Sequence, residues 1–166
     1  MRGDEPSIER FREAQEQRHT GFAAALEEIR AGSKQGHWMW YVFPQIAGLG
    51  TSAMSQAYGI RGVEEATAYL RDAVLGPRLL AVTEAAVDQL RGGTPVSTLM
   101  GSEIDATKLV SSMTLFGRVA DRLRVEEPAV AGRLAALADE LLELAAGQGY
   151  PRCRATLASL GSQDAF

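Results

Sequence analysis

Hydrophobic residues recur at helical spacing from the start of the chain. The first face is formed by Ile8, Phe11, Ala14, Phe22, Leu26 and Ile29. This spacing predicts an amphipathic helix with one face packed inward. Pro6 and Ser7 precede it, so the helix is expected to open there with Ser7 as its N-cap. Gly21 weakens its middle, and Gly32 ends it.

Similar patterns continue to the C-terminal region. Helices are predicted over 51–58, 63–71, 77–90, 94–101, 105–123 and 128–145, with a last short one around Leu157 and Leu160. Asp105 is the expected N-cap of the 105–123 helix. Leu134, Leu137, Leu141 and Leu144 form one stripe, which is either core or a dimer face. No alternating β/α pattern occurs, which favours an all-α fold: a compact single domain, 1–166, of about six to eight helices.

The segment 37–43, His-Trp-Met-Trp-Tyr-Val-Phe, fits no single period. As a strand it would place Trp38 and Trp40 on one face and Tyr41 on the other. As a helix it would be apolar all round. Both remain open, although Pro44 disfavours α-helical conformation at Phe43.

Composition and charge narrow the class of protein. The 166 residues are 46% hydrophobic and carry a formal net charge of −4, without a dense run of Lys or Arg. Binding to nucleic acid or to an anionic membrane is therefore not expected. The charged N-terminal residues do not resemble a signal peptide, and no apolar stretch approaches the ~20 residues that span a bilayer. We expect a cytoplasmic protein.

Cysteine and histidine are too few for a metal centre. Cys153 is the only cysteine, and His19 and His37 are the only histidines. A single cysteine excludes an intramolecular disulfide, and no cluster has metal-ligand spacing. Gly48-Leu49-Gly50 lacks the third glycine of a dinucleotide fingerprint. Neither metal nor cofactor is expected.

The densest candidate chemistry lies between Lys34 and Gln45. Four of the eleven aromatic residues fall within 38–43, next to polar groups that can donate hydrogen bonds. Flat aromatic faces beside a few polar side chains suit a planar ligand such as a nucleobase or nicotinamide. The alternative is an aromatic core segment in which His37 is an ordinary buried histidine.

A second candidate lies in the segment 101–116. On a helix, Asp105, Lys108, Ser111 and Ser112 would share one side, opposite a core face containing Leu109. A carboxylate, an ammonium and hydroxyl groups could bind a polar ligand or transfer protons. The alternative is an N-cap with a local Asp105–Lys108 ion pair, which stabilises a helix by only about 0.3–0.5 kcal/mol.

These motifs resemble those of a widespread group of small bacterial proteins of unknown function, often labelled calpastatin. The resemblance rests on Lys34, on His37 to Gln45, on Gly48-Leu49-Gly50 with Ser52, on Leu75-Gly76 with Arg78-Leu79, and on Gly101, Asp105, Lys108-Leu109 and Ser111 to Phe116. It covers about 11–160 and implies a compact, mainly helical fold with no established activity. Two departures are a longer segment from 118 to 146 and Cys153 in place of an acidic residue. Calpain inhibitors resemble disordered, polar, repeated chains. This sequence predicts a large apolar core and has no repeat, so the label conflicts with it.

The order of the motifs is also similar to that of an all-helical superfamily associated with NAD and ADP-ribose. A similarity of this kind does not determine function. The similarity of motif order does agree with the planar-ligand interpretation, and it therefore suggests ADP-ribose or NAD derivatives as the ligand class.

We therefore predict a small-molecule pocket where 34–52 meets 101–116. Asp105, Lys108 and His37 are the candidate catalytic residues, and the candidate ligand-binding residues are Lys34, Trp38, Trp40, Gln45, Ser52, Tyr58, Ser111 and Ser112. Trp38 or Trp40 would stack on the base, and Lys108 would bind a phosphate or ribose oxygen. The sequence does not decide between binding and catalysis. The alternative function is a non-enzymatic interaction module, and either a monomer or a homodimer is compatible with the chain.

Overall fold

The fold of the chain is built almost entirely from helices. A computed structural model describes residues 7–164, with side chains described to residue 161. The α-helices are α1 (Glu9–Gln15), α2 (Phe22–Arg30), α3 (Met39–Val42), α4 (Ala53–Tyr58), α5 (Val63–Arg71), α6 (Leu75–Arg91), α7 (Val96–Met100), α8 (Glu103–Leu123), α9 (Arg133–Gly147) and α10 (Arg154–Asp164). A π-helical turn over Pro128–Gly132 precedes α9. The all-α class is confirmed for this range, but its ten helices exceed the six to eight expected.

The first predicted helix is in fact two helices. Gly21 adopts an extended conformation (φ −95°, ψ −163°) and directly precedes α2, so the chain turns between α1 and α2. The N-cap of α1 is Ile8 rather than the expected Ser7, although the Ser7 hydroxyl accepts a hydrogen bond from the backbone N–H of Glu9 at 3.3 Å. Pro6 lies outside the described residues. The hydrophobic spacing continues across the break because both helices pack on the same core.

The ambiguous aromatic segment forms a single helical turn, α3. Phe43 leaves the helix (φ −121°, ψ 73°), as expected for a residue that precedes a proline. The strand alternative is therefore wrong. Met39, Tyr41 and Val42 are buried, and Trp40 keeps part of its surface exposed.

The start of α8 also differs from the prediction. Ser102 is the N-cap, and its hydroxyl accepts a hydrogen bond from the backbone N–H of Asp105 at 3.1 Å. Asp105 therefore lies inside the first turn, where a carboxylate is favourable next to the positive end of the helix dipole. Its side chain is not used as a cap and can reach across to another segment.

Helix α8 occupies the centre of the molecule. It is 21 residues long, and it packs against α5, α7, α9 and α10. Leu134, Leu137 and Leu141 of the leucine stripe are buried and belong to the core, while Leu144 is half-buried. Within residues 7–164, no helix is long and apolar enough to cross a membrane.

Candidate functional site: a cleft between the 45–55 segment and α8

The segment after α3 is fixed by backbone hydrogen bonds to Ile60, which follows α4. The N–H of Ala47 donates to the carbonyl of Ile60 at 2.7 Å, and the N–H of Ile60 donates to the carbonyl of Gln45 at 2.8 Å. Ser52 caps α4 by accepting from the N–H of Ser55 at 3.1 Å. These contacts hold the segment 45–55 as a wall facing the first half of α8.

Between this wall and α8 lies a cleft of about 450 Å³. It is lined by Gln45, Leu49, Gly50, Ser55, Glu103, Ile104, Thr107, Lys108, Ser111 and Cys153. Gly50 allows the wall to close on α4, because a Cβ there would lie 2.5 Å from the Ser55 hydroxyl. Lys108 is the one basic residue among the lining residues. The cleft therefore combines a positive charge, hydroxyl and amide groups, and a small apolar surface.

Beside the cleft, a buried ion pair joins the loop before α3 to α8. The Lys34 ammonium lies 2.9 Å from the Asp105 carboxylate, and both side chains are largely shielded from solvent. Lys34 also donates to the carbonyl of Gly36 at 2.5 Å and lies 5.1 Å from the centroid of the Trp38 ring. The Lys108 ammonium is 3.8 Å from the same carboxylate. Asp105 therefore has its closer contact with Lys34.

A second carboxylate holds the loop from the other side. Glu28 accepts hydrogen bonds from the backbone N–H of Gln35 and of Gly36 and from the Trp38 indole N–H, at 2.5, 2.7 and 3.2 Å. Burial alone would raise the pKa of Glu28, but the hydrogen bonds from the two backbone groups and Trp38, with the positive charge of Lys34, lower it below its ordinary value. The ionised carboxylate is thus the form that stabilises the loop.

This pKa shift predicts an acid-dependent loss of stability. A carboxyl group whose pKa is lower in the folded state stabilises the protein above its unfolded pKa, and the contribution disappears as the pH falls through the folded pKa. The free energy of unfolding, measured by urea titration, should therefore fall as the pH drops below about 4.3, the ordinary pKa of a glutamate. In Glu28→Gln this fall should be smaller. Equal pH dependence in both proteins would contradict the assignment.

Trp40 lies beside the cleft, in contact with Lys108. The Lys108 ammonium lies 5.3 Å from its ring centroid, within the range of a cation–π interaction. Trp40 also lines a small recess of about 10 Å³ together with Gln45, Ile46, Gly50, Ser55, Tyr58 and Gly59. The recess and the cleft share Gln45, Gly50 and Ser55 as walls. Trp40 Nε1 is buried and has no hydrogen-bond partner among the described residues.

Cys153 reaches the far end of the cleft, directly before α10. Burial on its own would raise the pKa of the thiol, but hydrogen bonding with Ser111 and Thr156 lowers it below its ordinary value. Within the described part of the chain, no group of three or more His, Cys, Asp and Glu side chains is placed to hold a metal ion.

The structure brings together part of the predicted site. Gln45, Lys108 and Ser111 line the cleft, and Trp40 and Tyr58 line the adjoining recess. These five residues come from the two segments expected to meet, together with α4.

Other predicted residues lie elsewhere. Trp38 is fully buried, so its ring offers no face to a ligand, and Ser112 is fully buried in the core. Lys34 is engaged by Asp105 and Gly36 rather than lining the cleft. The side of α8 that carries Asp105 meets the loop before α3, which is why the predicted polar face of α8 divides into a covered part and a cleft part.

His37 and Ser52 are both exposed, and neither lines the cleft. The carbonyl of His37 accepts a hydrogen bond from the Tyr41 hydroxyl at 3.3 Å. Ser52 serves as the cap of α4. The structure gives both residues a local backbone role.

Several cleft residues were absent from the prediction. Glu103, Ile104 and Thr107 repeat at helical spacing with Lys108 and Ser111, so the stripe 103, 104, 107, 108, 111 was available from the sequence. Glu28 was not, because nothing in its surrounding Ala-Glu pattern distinguishes a carboxylate that folds a distant loop from a solvated one.

The fold and cleft define a small, mainly helical protein with a candidate ligand-binding face on the first half of its central helix. Residues 5–141 match the model of a family described as a protein of unknown function, DUF1810, and the chain belongs to this family. The resemblance to a family of unknown function is thereby confirmed. The description carries no calpain-related activity.

A solved structure has the same fold. It is that of the conserved hypothetical protein Rv1873 from Mycobacterium tuberculosis, which is 37% identical to this chain. The match covers 93% of this chain and 96% of the other, with a TM-score of 0.73. No curated protein matches the chain.

Proposed function

We propose that the cleft between the 45–55 segment and α8 binds a small anionic, nucleotide-like molecule. The observation that carries the proposal is the position of Lys108. Its ammonium is the one positive charge on the cleft wall, it lies over the Trp40 ring, and the nearest carboxylate is paired more closely with Lys34. The charge of Lys108 is therefore available to a negatively charged ligand group.

The size and chemistry of the cleft suit this class. Its volume of about 450 Å³ falls within the usual range for small-molecule sites. Gln45 and the hydroxyl groups of Thr107 and Ser111 can each donate or accept hydrogen bonds, and Glu103 can accept them from sugar hydroxyls. Leu49 and Ile104 provide the apolar surface that a base or nicotinamide ring would cover.

Within this class, ADP-ribose and NAD derivatives are the first candidates. They combine a planar ring, ribose hydroxyls and phosphoryl groups, which correspond to the apolar, carboxylate and ammonium parts of the cleft. The similarity of motif order to the NAD- and ADP-ribose-associated superfamily gives the same class. The proposal concerns binding; whether Asp105 and Lys108 also act on the ligand is a separate question.

A thermal-shift screen of the purified protein tests the proposal. The panel contains ADP-ribose, NAD, AMP, ribose 5-phosphate and inorganic phosphate. A ligand present at 100 times its Kd stabilises the folded state by about 2.7 kcal/mol. For a chain of this size the melting temperature should rise by roughly 5–10 °C.

Lys108→Gln should weaken binding of any such ligand at least about tenfold, because it removes a charged hydrogen-bond donor. Arg18→Gln is the matched control: it removes the same charge from an exposed position between α1 and α2. An equal loss of ligand affinity in both variants would reduce the effect to overall charge and contradict the role of Lys108.

A flat response across the panel would reject the proposal and favour the interaction-module alternative. Sedimentation at several concentrations would then test that alternative for self-association.

A further inference from the structure

We infer that Glu103 makes the cleft select ribose over 2-deoxyribose. The 2- and 3-hydroxyl groups of the ligand's ribose would donate hydrogen bonds to the Glu103 carboxylate, while the anionic group of the ligand contacts Lys108. This inference rests on the proposed function and specifies it: the ligand is a ribosyl phosphate rather than any small anion.

Glu103 and Lys108 give the cleft two charged groups of opposite sign. Among the described residues that line the cleft, Glu103 is the one carboxylate and Lys108 the one ammonium. A carboxylate accepts hydrogen bonds and has none to donate, so a ligand group beside Glu103 has to be a donor. A phosphoryl group there would be repelled by the like charge. The two charges therefore fix the orientation of a ligand that carries both an anionic group and hydroxyl groups.

The positions of the two residues on α8 keep these charges apart. Glu103 is the first residue of the helix, and Lys108 follows five residues later. In an α-helix this spacing separates the two Cα atoms by about 7.5 Å along the axis and by about 140° around it. The cleft therefore suits a molecule with two separate polar groups, such as the phosphate and the hydroxyl pair of a pentose phosphate, better than it suits a phosphate ion alone.

A contact from the segment between α9 and α10 orients the Glu103 carboxylate. The Tyr150 hydroxyl donates a hydrogen bond to Glu103 Oε1 at 3.3 Å, and the Tyr150 side chain packs against the core. A carboxylate has about four lone-pair sites on its two oxygens, so one bond from Tyr150 leaves capacity for both hydroxyls of a vicinal diol. Glu103 is exposed, and a ligand in the cleft can reach these sites. Carboxylates bind ribose hydroxyls in dinucleotide-binding folds as well.

The competing explanation is that Glu103 is a surface glutamate whose only role is its contact with Tyr150. A ligand would then bind through Lys108 and the apolar surface of the cleft, and its sugar hydroxyls would not affect its affinity. The two explanations differ for a pair of compounds that carry the same phosphate and differ by one hydroxyl group.

The test measures Kd by calorimetry for two such pairs, AMP with 2′-deoxyAMP and ribose 5-phosphate with 2-deoxyribose 5-phosphate. The ribose compound of each pair should bind about tenfold more tightly, because the deoxy compound lacks one hydrogen bond to a charged group. In Glu103→Ala this preference should disappear: affinity for the ribose compound should fall to that of the deoxy compound, whose own affinity should not fall. The Kd of ADP-ribose should be about tenfold weaker in the same variant.

Glu64→Ala is the matched control, because it removes an exposed glutamate from the first turn of α5 that does not line the cleft. This variant should keep the preference for ribose. Ser102 rather than Glu103 caps α8, so Glu103→Ala should fold. Glu103→Gln, which keeps the size of the side chain but has a single acceptor oxygen, should show an intermediate preference.

The outcomes separate the role of Glu103 from the proposed function. Binding that depends on Lys108 but is equally tight within each pair, or unchanged for ADP-ribose in Glu103→Ala, would overturn the role of Glu103 and leave the cleft proposal standing. A ribose preference that survives in Glu103→Ala would do the same. No binding of any panel compound would overturn both.

Discussion

Replacing Trp38 with alanine is expected to lower the free energy of unfolding by about 3–5 kcal/mol, the range for truncating a large, fully buried aromatic side chain. Trp38 has no exposed surface, and its ring packs at 6.2 Å from the Phe43 ring. The substitution also removes the indole donor to Glu28 and the ring beside Lys34. A cavity and a loosened loop result from the same change.

Urea unfolding measures this loss, and Trp40→Ala is the matched control. Trp40 keeps part of its surface exposed, so its truncation should cost less than that of Trp38. Trp40→Ala should instead weaken ligand binding, because it removes the surface beneath Lys108. Similar losses of stability in the two variants would contradict the division of the motif into a fully buried tryptophan and a partly exposed one beside the cleft.

The helical periodicity was sufficient to predict most of the fold. Helix α5 begins and ends at the residues expected, and α6 and α7 differ by only a few positions. These helices each pack one face on the core, so their spacing directly reports burial. The break between α1 and α2 was missed because the apolar spacing continues through it, and Gly21 lowers helix propensity without revealing where the chain turns.

The site was predicted less completely, for a different physical reason. The meeting of the 34–52 and 101–116 segments was expected. The structure places Lys34 against Asp105, and it places Gln45 and Lys108 in one cleft. The sequence could not assign Trp38 to the core and Trp40 to the recess beside the cleft. That assignment depends on how the short turn α3 packs against the rest of the protein and on the contact of Glu28 with the loop before it. Both are tertiary contacts.

The two lysines contact the same carboxylate but differ in how closely they are paired with it. Lys34 neutralises Asp105 in a buried pair, and a buried charge without its partner is strongly destabilising. Because Lys34 fulfils this structural requirement, Lys108 does not have to. The ammonium groups of Lys34 and Lys108 lie 2.9 and 3.8 Å from the same carboxylate, and the proposed function assigns the ligand to the farther one.

Gly76→Ala is expected to destabilise the protein by about 3 kcal/mol, the upper part of the range for overpacking a tight site. Gly76 lies in the first turn of α6, where a Cβ would be 2.2 Å from the backbone carbonyl oxygen of Leu70. A flexible side chain could move away from such a contact, but this oxygen belongs to α5. The two helices would have to separate, which also disturbs the nearby Val130 of the π-helical turn, 3.5 Å from the same position.

Gly147→Ala, at the end of α9, is the control for the loss of stability expected of Gly76→Ala. A Cβ at Gly147 meets no atom within 4 Å, so alanine there should stabilise the helix by up to about 1 kcal/mol. Urea unfolding should therefore show opposite shifts for the same chemical change in two helices. Equal stability of Gly76→Ala and the unmodified protein would mean that α5 and α6 separate freely.

Because Gly76 is not among the residues that line the cleft, the folded fraction of Gly76→Ala should bind ligand with unchanged affinity. Unchanged affinity would separate a packing defect from a defect in the site.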